Sequence, residues 1–196
     1  MRAGFVVRSI SAVIAALLLG ACAARDPLVS NAAAVPSGNW RIASQVDRIT
    51  GAPLSSATLA TRSSSNSAEP FPLPAGLQLL CFKDQPTVRL AFEFKVGSNQ
   101  NSVFGYRFDE KPGREIKARF LQDFKTVVIE DKAEVAQFVS ELATSDVLYV
   151  RIRSLNAGRT AAEFRLNGAP AATEAAFTGC PLSTDQPPRR RNAQAQ

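Results

Sequence analysis

The chain reads as a mostly β protein, an antiparallel β-sandwich of about eight or nine strands with two short helices. Three observations predict this. Apolar and polar residues alternate with period two in several segments between residues 40 and 166, which gives each segment one apolar and one wet face. A single stretch carries a capped helical period. And 196 residues, 45% of them apolar, suffice for one packed domain.

Before the alternation begins, residues 1–21 have the form of a lipoprotein signal peptide. Arg2 and Arg8 precede an apolar run from Ile10 to Leu19. That run is shorter than the ~20 residues a membrane-spanning helix needs. Leu19-Gly20-Ala21-Cys22 then resembles a bacterial lipobox, in which Cys22 receives diacylglycerol and, after cleavage, a further acyl chain such as palmitate. Several acyl chains anchor stably where one gives marginal binding. Ala23 follows in place of the aspartate associated with inner-membrane retention. The expected location is therefore the outer membrane, with the domain facing the periplasm or the cell surface. Residues 22–38, rich in Ala, Ser, Pro and Asn, read as a lipidated flexible tether, with an end-to-end distance of about 20–25 Å.

The domain is expected over residues 39–182. Segments 40–46 and 57–61 flank a turn-rich connection and suit a hairpin. Segment 62–74 holds a serine run and three prolines and reads as a loop. Strands are expected at 77–82 and 87–96. In the latter, Val88, Leu90, Phe92, Phe94 and Val96 alternate with Arg89, Ala91, Glu93 and Lys95. Phe104, Tyr106 and Phe108 repeat the pattern, as do Leu148, Val150 and Ile152, and Ala162, Phe164 and Leu166. Segments 116–121 and 127–130 are further short strands. A helix is expected over 131–143. Asp131 and Glu134 form a capping-box arrangement, and Val135, Phe138, Val139 and Leu142 share one face. A second short helix is expected over 170–177. Residues 183–196, with Arg189, Arg190 and Arg191, read as a disordered basic tail, solvated or touching a polyanion such as anionic lipid.

Composition narrows the chemistry. The chain has no histidine, which removes Ser-His-Asp and Cys-His arrangements and the usual zinc sites. No phosphate-binding glycine loop occurs, and no cofactor is expected beyond the covalent lipid on Cys22. The net charge of +6 falls to +4 once Arg2 and Arg8 are removed. Three of those charges lie in the tail, so nucleic acid is not an expected partner. With Cys22 taken by lipid, Cys81 and Cys180 remain as an even pair in an oxidising compartment. This favours a disulfide, with two free buried thiols as the rival reading. The carboxylate pairs Asp109-Glu110 and Glu130-Asp131 could divide acid and base roles, but they fall at strand and helix ends where turns and caps explain them. The chain is not expected to be an enzyme; a cell-wall-acting enzyme of unidentified chemistry is the alternative.

Binding candidates lie on the wet faces. Arg107 and Asp109 stand opposite the aromatics of Tyr106-Arg107-Phe108-Asp109, where arginine offers a planar fork for carboxylate or phosphate. A cross-strand ion pair is the competing role. Arg151, Arg153 and Arg165 extend the basic character, and Glu163 could neutralise it. Trp40 is read as a core anchor.

Several phrases, in order, carry a family likeness: Asn39-Trp40-Arg41-Ile42 with Asp47 and Gly51, Leu79-Leu80-Cys81, Tyr106-Arg107-Phe108-Asp109, Phe138 to Leu142, Val150-Arg151-Ile152, Ala162-Glu163-Phe164-Arg165-Leu166-Asn167-Gly168, and the late Cys180. Over residues 39–182 the chain resembles the periplasmic type VI secretion-associated TagO/VasI proteins and, more loosely, the invasion-associated locus B proteins. The resemblance implies an exported, disulfide-bonded β-sandwich. It also implies an accessory role in an envelope or secretion-associated assembly, with a protein partner. The chain departs from the TagO pattern before Trp40, where a cysteine-containing segment is replaced by the tether.

Overall fold

Strand alternation organises the molecule, and the computed structural model describes it for residues 29–31 and 34–182. The segment expected as a signal peptide, Cys22 and the stretch expected as a tail over 183–196 lie outside the described residues. A long hairpin joins β7 (Ala75–Phe82) to β8 (Gln85–Phe92), where buried and exposed positions alternate as the sequence predicts. Its two-residue turn, Lys83-Asp84, has φ of 52° and 61°, the left-handed pair typical of a tight hairpin whose twist matches its strands. On one side β8 pairs with β12 (Thr126–Ile129), and β12 with β11 (Arg119–Phe120). On the other, β7 pairs with β5 (Ser56–Thr61), then β3 (Trp40–Ala43) and β2 (Val35–Ser37). These seven strands form one antiparallel sheet.

The second sheet has five strands in the order β10 (Arg114–Ile116), β9 (Ser102–Phe108), β13 (Val147–Ser154), β14 (Gly158–Arg165) and β6 (Ser64–Asn66), again all antiparallel. A small ribbon of β1 (Val29–Asn31) and β4 (Gln45–Asp47) stands apart. The inner faces meet in one core. Leu77, Leu79, Val88 and Leu90 come from the first sheet, and Phe104, Phe108, Leu148, Ile152 and Phe164 from the second. Trp40 is fully buried, and its indole N–H donates to the Leu166 carbonyl at 3.3 Å, tying the start of the first sheet to the end of β14.

The helices close the core. In α1 (Lys132–Leu142), Asp131 caps the start by accepting the N–H of Ala133 and Glu134, and Val135, Phe138, Val139 and Leu142 are buried, as their spacing predicts. Phe138 packs edge-on against Tyr106 and Phe108, with ring centroids 5.0 and 5.1 Å away. Helix α2 (Ala169–Ala176) lies against β3, β5 and β7. It starts from Gly168, whose φ of 91° and close approach to the Ser37 carbonyl leave no room for a side chain. Just beyond α2, Cys180 is bonded to Cys81 on β7, with Cα atoms 6.0 Å apart.

The sandwich matches the predicted class, and its details differ in five places. The stretch read as tether contributes β1 and β2, so residues 29–31 and 35–37 are paired into strands. An Ala-, Ser- and Pro-rich composition with no sustained period there concealed two short strands. The loop read over 62–74 contains β6, where Ser64 and Asn66 are buried. The Asn66 amide donates to the Ala157 carbonyl and the Thr160 hydroxyl, both at 2.8 Å, and the Ser64 hydroxyl donates to the Leu73 carbonyl. Satisfied in this way, polar side chains enter the interior at little cost. The strand expected over 87–96 leaves its ladder at Phe92, yet Phe94 and Val96 stay buried. Finally, segments 40–46 and 116–121 each split in two. The second divides between sheets, β10 in one and β11 in the other.

Candidate functional site

Cross-strand register puts three of the four binding candidates on one surface. Within the five-stranded sheet, Arg107 pairs with Tyr149 and Tyr149 with Glu163. Gly105 pairs with Glu115 on one side and Arg151 on the other, and Val103 pairs with Arg153, which pairs with Arg159. Their neighbours Phe104, Tyr106, Phe108, Val150 and Ile152 point into the core. Period two therefore turns Arg107, Arg151 and Arg153 outward together, as the sequence predicts.

The geometry of this face is set by a glycine and a glutamate. Gly105 leaves an open hollow of about 530 Å³ bounded by Arg107, Arg114, Glu115, Tyr149 and Arg151. A Cβ on Gly105 would crowd the Arg114 carbonyl at 3.0 Å and Glu115 Cγ at 3.3 Å. Glu115 Oε1 accepts from both Arg151, at 2.8 Å, and Arg153, at 2.7 Å. These guanidinium side chains are 61% and 51% exposed, so most of their five N–H donors remain at the solvent edge. Arg107 lies over the Tyr149 ring, 4.9 Å from its centroid, and reaches Glu110 at 3.8 Å. Glu163 is drawn to Arg165 at 3.0 Å. Across the face, Arg107, Arg151, Arg153, Arg159 and Arg165 stand against Glu115 and Glu163, an excess of positive charge.

The fourth candidate, Asp109, does not belong to this face. It sits just beyond β9 with a left-handed φ of 46°. Its carboxylate accepts the backbone N–H of Val147 at 2.8 Å and of Asp146 at 3.1 Å, clamping the start of β13. Desolvation opposes ionisation here. The N–H groups of Val147 and Asp146, the Ser145 hydroxyl and the Lys111 charge outweigh it and hold the carboxyl below its usual range. Asp109 is thus a structural clamp.

The other carboxylate pair is also committed to structure. Glu130 makes a two-pronged pair with Arg119 at 2.8 and 2.7 Å, and those bonds, against some desolvation, hold it below the usual carboxylate range. Asp131 caps α1, and Glu134 faces Arg114 at 3.4 Å. Arg114 also donates to the Tyr106 hydroxyl at 3.0 Å; burial pushes that hydroxyl above the usual phenol range, although the Arg114 charge pulls the other way. Among the described residues no group of His, Cys, Asp or Glu is arranged to hold a metal ion, and no helix is long and apolar enough to cross a membrane.

Sequence reading missed Glu115, Gly105 and Tyr149. A glycine between the aromatics of β9 is a visible signal of close approach. Which residue fills the space depends on register with β10, which the sequence does not state.

No family model matches the chain, and no curated protein matches it. Among solved structures, the fold is similar to that of invasion associated protein B from Bartonella henselae, with a TM-score of 0.51 and 14% sequence identity, covering 75% of this chain and 97% of that one. At this identity the likeness is one of fold. It falls on the looser of the two resemblances, and the comparisons lend no support to the TagO/VasI likeness.

Proposed function

We propose that the protein is an outer-membrane lipoprotein, anchored through acylated Cys22, whose domain faces the periplasm and serves as a binding accessory of an envelope or secretion-associated assembly. It works by tethering and surface recognition, with no bond-making step. The outward arginine face of the five-stranded sheet is its recognition surface, and an acidic patch on an envelope protein is the partner this charge suits. One observation carries the reading: Arg151 and Arg153 share a single carboxylate oxygen of Glu115. One negative charge cannot neutralise two guanidinium groups, and the remaining donors suit further carboxylates. The fold likeness to an invasion-associated protein is consistent with an envelope role.

Crosslinking in intact cells followed by purification tests the reading. The wild-type chain is expected to retain a stoichiometric partner. Arg107→Glu/Arg151→Glu is expected to lose it by at least tenfold while keeping its fold, and added salt should weaken the wild-type complex. Retention by the charge-reversed chain would remove the face from the mechanism. Turnover of cell-wall fragments by purified protein, with no partner recovered, would favour the enzyme alternative. Uptake of labelled palmitate by the wild type and not by Cys22→Ser tests the anchor.

A further inference from the structure

Two adjacent hairpins project past the same edge of the seven-stranded sheet. Beyond the Ala43–Ser56 pairing, the chain of β3 and β5 continues through the Val46–Pro53 bridge to a turn at Asp47–Gly51. Alongside, beyond the Ser56–Leu80 pairing, β7 continues to Phe82 and its tight turn. The first turn is built to hold its shape. Asp47 Oδ1 accepts the N–H of Ile49 at 2.7 Å and of Thr50 at 3.0 Å, and Gly51 N–H donates to the Asp47 carbonyl at 2.8 Å. This leaves Ile49 76% exposed; Phe82, on the second tip, is 56% exposed with the Lys83 ammonium 5.2 Å from its ring. Two large apolar side chains are thus held out on neighbouring tips at one end of the sheet.

Both chain ends lead to this same edge. Val29 pairs with Asp47, so the segment leading back toward Cys22 leaves beside the Ile49 turn. Fully extended, residues 23–28 span at most roughly 20–25 Å, whereas a fully extended tether reaching to residue 38 would span roughly 55 Å. At the other end, the bond between Cys180 and Cys81 brings the C-terminal segment beside Phe82, a few residues ahead of Arg189, Arg190 and Arg191. Charges on the tips themselves balance, Arg48 and Lys83 against Asp47 and Asp84.

We propose that the tips carrying Ile49 and Phe82 insert into the interfacial layer of an anionic bilayer, fixing the orientation of the domain on the membrane. The occupant is a lipid surface because the short anchor segment holds these tips within reach of one. Two side chains bind weakly alone, but a tether raises their effective concentration at the surface. The arginine tail adds attraction to anionic headgroups. Oriented in this way, the domain holds the arginine face beside the membrane rather than against it.

This inference rests on anchoring at Cys22, and the test separates the two. With Cys81 and Cys180 bonded to each other, the unacylated chain produced without residues 1–21 has one free thiol, that of Cys22, which can be coupled to a maleimide phospholipid in vesicles of phosphatidylethanolamine and phosphatidylglycerol with brominated acyl chains. Tryptophan is introduced singly by Ile49→Trp, Phe82→Trp and Leu155→Trp, with the buried Trp40 as the common baseline. Leu155, 88% exposed, lies in the turn at the opposite end of the sandwich. Several-fold stronger bromine quenching at positions 49 and 82 than at 155, reduced when phosphatidylglycerol is omitted, is the expected result. Equal quenching at all three positions, or none, would overturn the proposal. Palmitate uptake in cells is read separately. A chain that takes up none but quenches at 49 and 82 when coupled upholds the membrane-facing tips and defeats the anchor alone.

Discussion

The two faces of the five-stranded sheet are made from the same strands and obey different rules. On the inner face Phe104, Tyr106 and Phe108 of β9 meet Phe138 of α1, with tilted and edge-to-face ring contacts of 5.0 to 6.2 Å and almost no exposure. On the outer face, one residue out of step, Arg107, Arg151 and Arg153 lie over Tyr149 and Glu115. Inner contacts draw their energy from removing apolar area from water and are worth several kcal/mol per side chain. Outer contacts are exposed ion pairs, worth about 0–1 kcal/mol each. The difference teaches that stability is stored on one face, leaving the other free to carry charge.

The largest break in that comparison should come from the inner face. Phe138→Ala removes a fully buried ring that touches Tyr106 and Phe108. A loss of about 3–5 kcal/mol is expected, read by urea denaturation, because the helix cannot collapse into the space left behind. A loss below about 1 kcal/mol would mean that α1 is not the lid of this core.

The inner face was also the more legible one. Alternation in β9, β13 and β14 and the i, i+3, i+4, i+7 spacing in α1 named the core residues correctly, because burial imposes a period on sequence. The Cys81–Cys180 bond was the favoured reading once Cys22 was set aside for lipid, with two free thiols as its rival, and the two sulfurs are bonded. Ser64 and Asn66 were illegible for the opposite reason: their burial depends on the Leu73 and Ala157 carbonyls and the Thr160 hydroxyl, partners that only folding brings close. Asp109 misled for a related reason. As a residue next in step after Arg107 it belongs to the wet face. But β9 ends at Phe108, and the left-handed turn there sends the carboxylate to the backbone of β13. On the outer face the arginines were readable one by one, whereas Glu115, which gathers two of them, required the register of β10.

A smaller effect is expected at that clamp between the faces. Asp109→Ala removes the acceptor for two backbone N–H groups and places alanine in a left-handed conformation. The expected loss is about 1–2 kcal/mol near neutral pH, kept modest by partial exposure. Its pH dependence has a definite sign. Desolvation raises the native carboxyl and the Val147 and Asp146 N–H groups more than reverse this, so its native pKa lies below the unfolded value. The stabilisation is therefore present above about pH 4 and fades as pH falls through the native pKa. The gap between wild type and variant should narrow below pH 4 in thermal unfolding; a gap that widens there would reverse the assignment.

The smallest change in stability, and the sharpest contrast between the faces, belongs to Glu115→Gln. The glutamate is surface-exposed and its pairs with Arg151 and Arg153 are solvent-screened, so the expected change in stability is within about 0.5 kcal/mol. Its effect on recognition should run the other way. Removing the one carboxylate shared by two guanidinium groups raises the positive charge of the face. A unit charge about 5 Å from an incoming carboxylate is worth somewhat under 1 kcal/mol in water, so binding of an acidic peptide should tighten roughly two- to fourfold at low ionic strength and revert toward wild type as salt is added. Titration calorimetry across a salt series reads both quantities on one sample. Tighter binding that ignores salt would point to a contact other than charge. Weaker binding would mean that Glu115 holds Arg151 and Arg153 in the pose that recognition needs, making the glutamate a positioning residue of the face and not its counterweight.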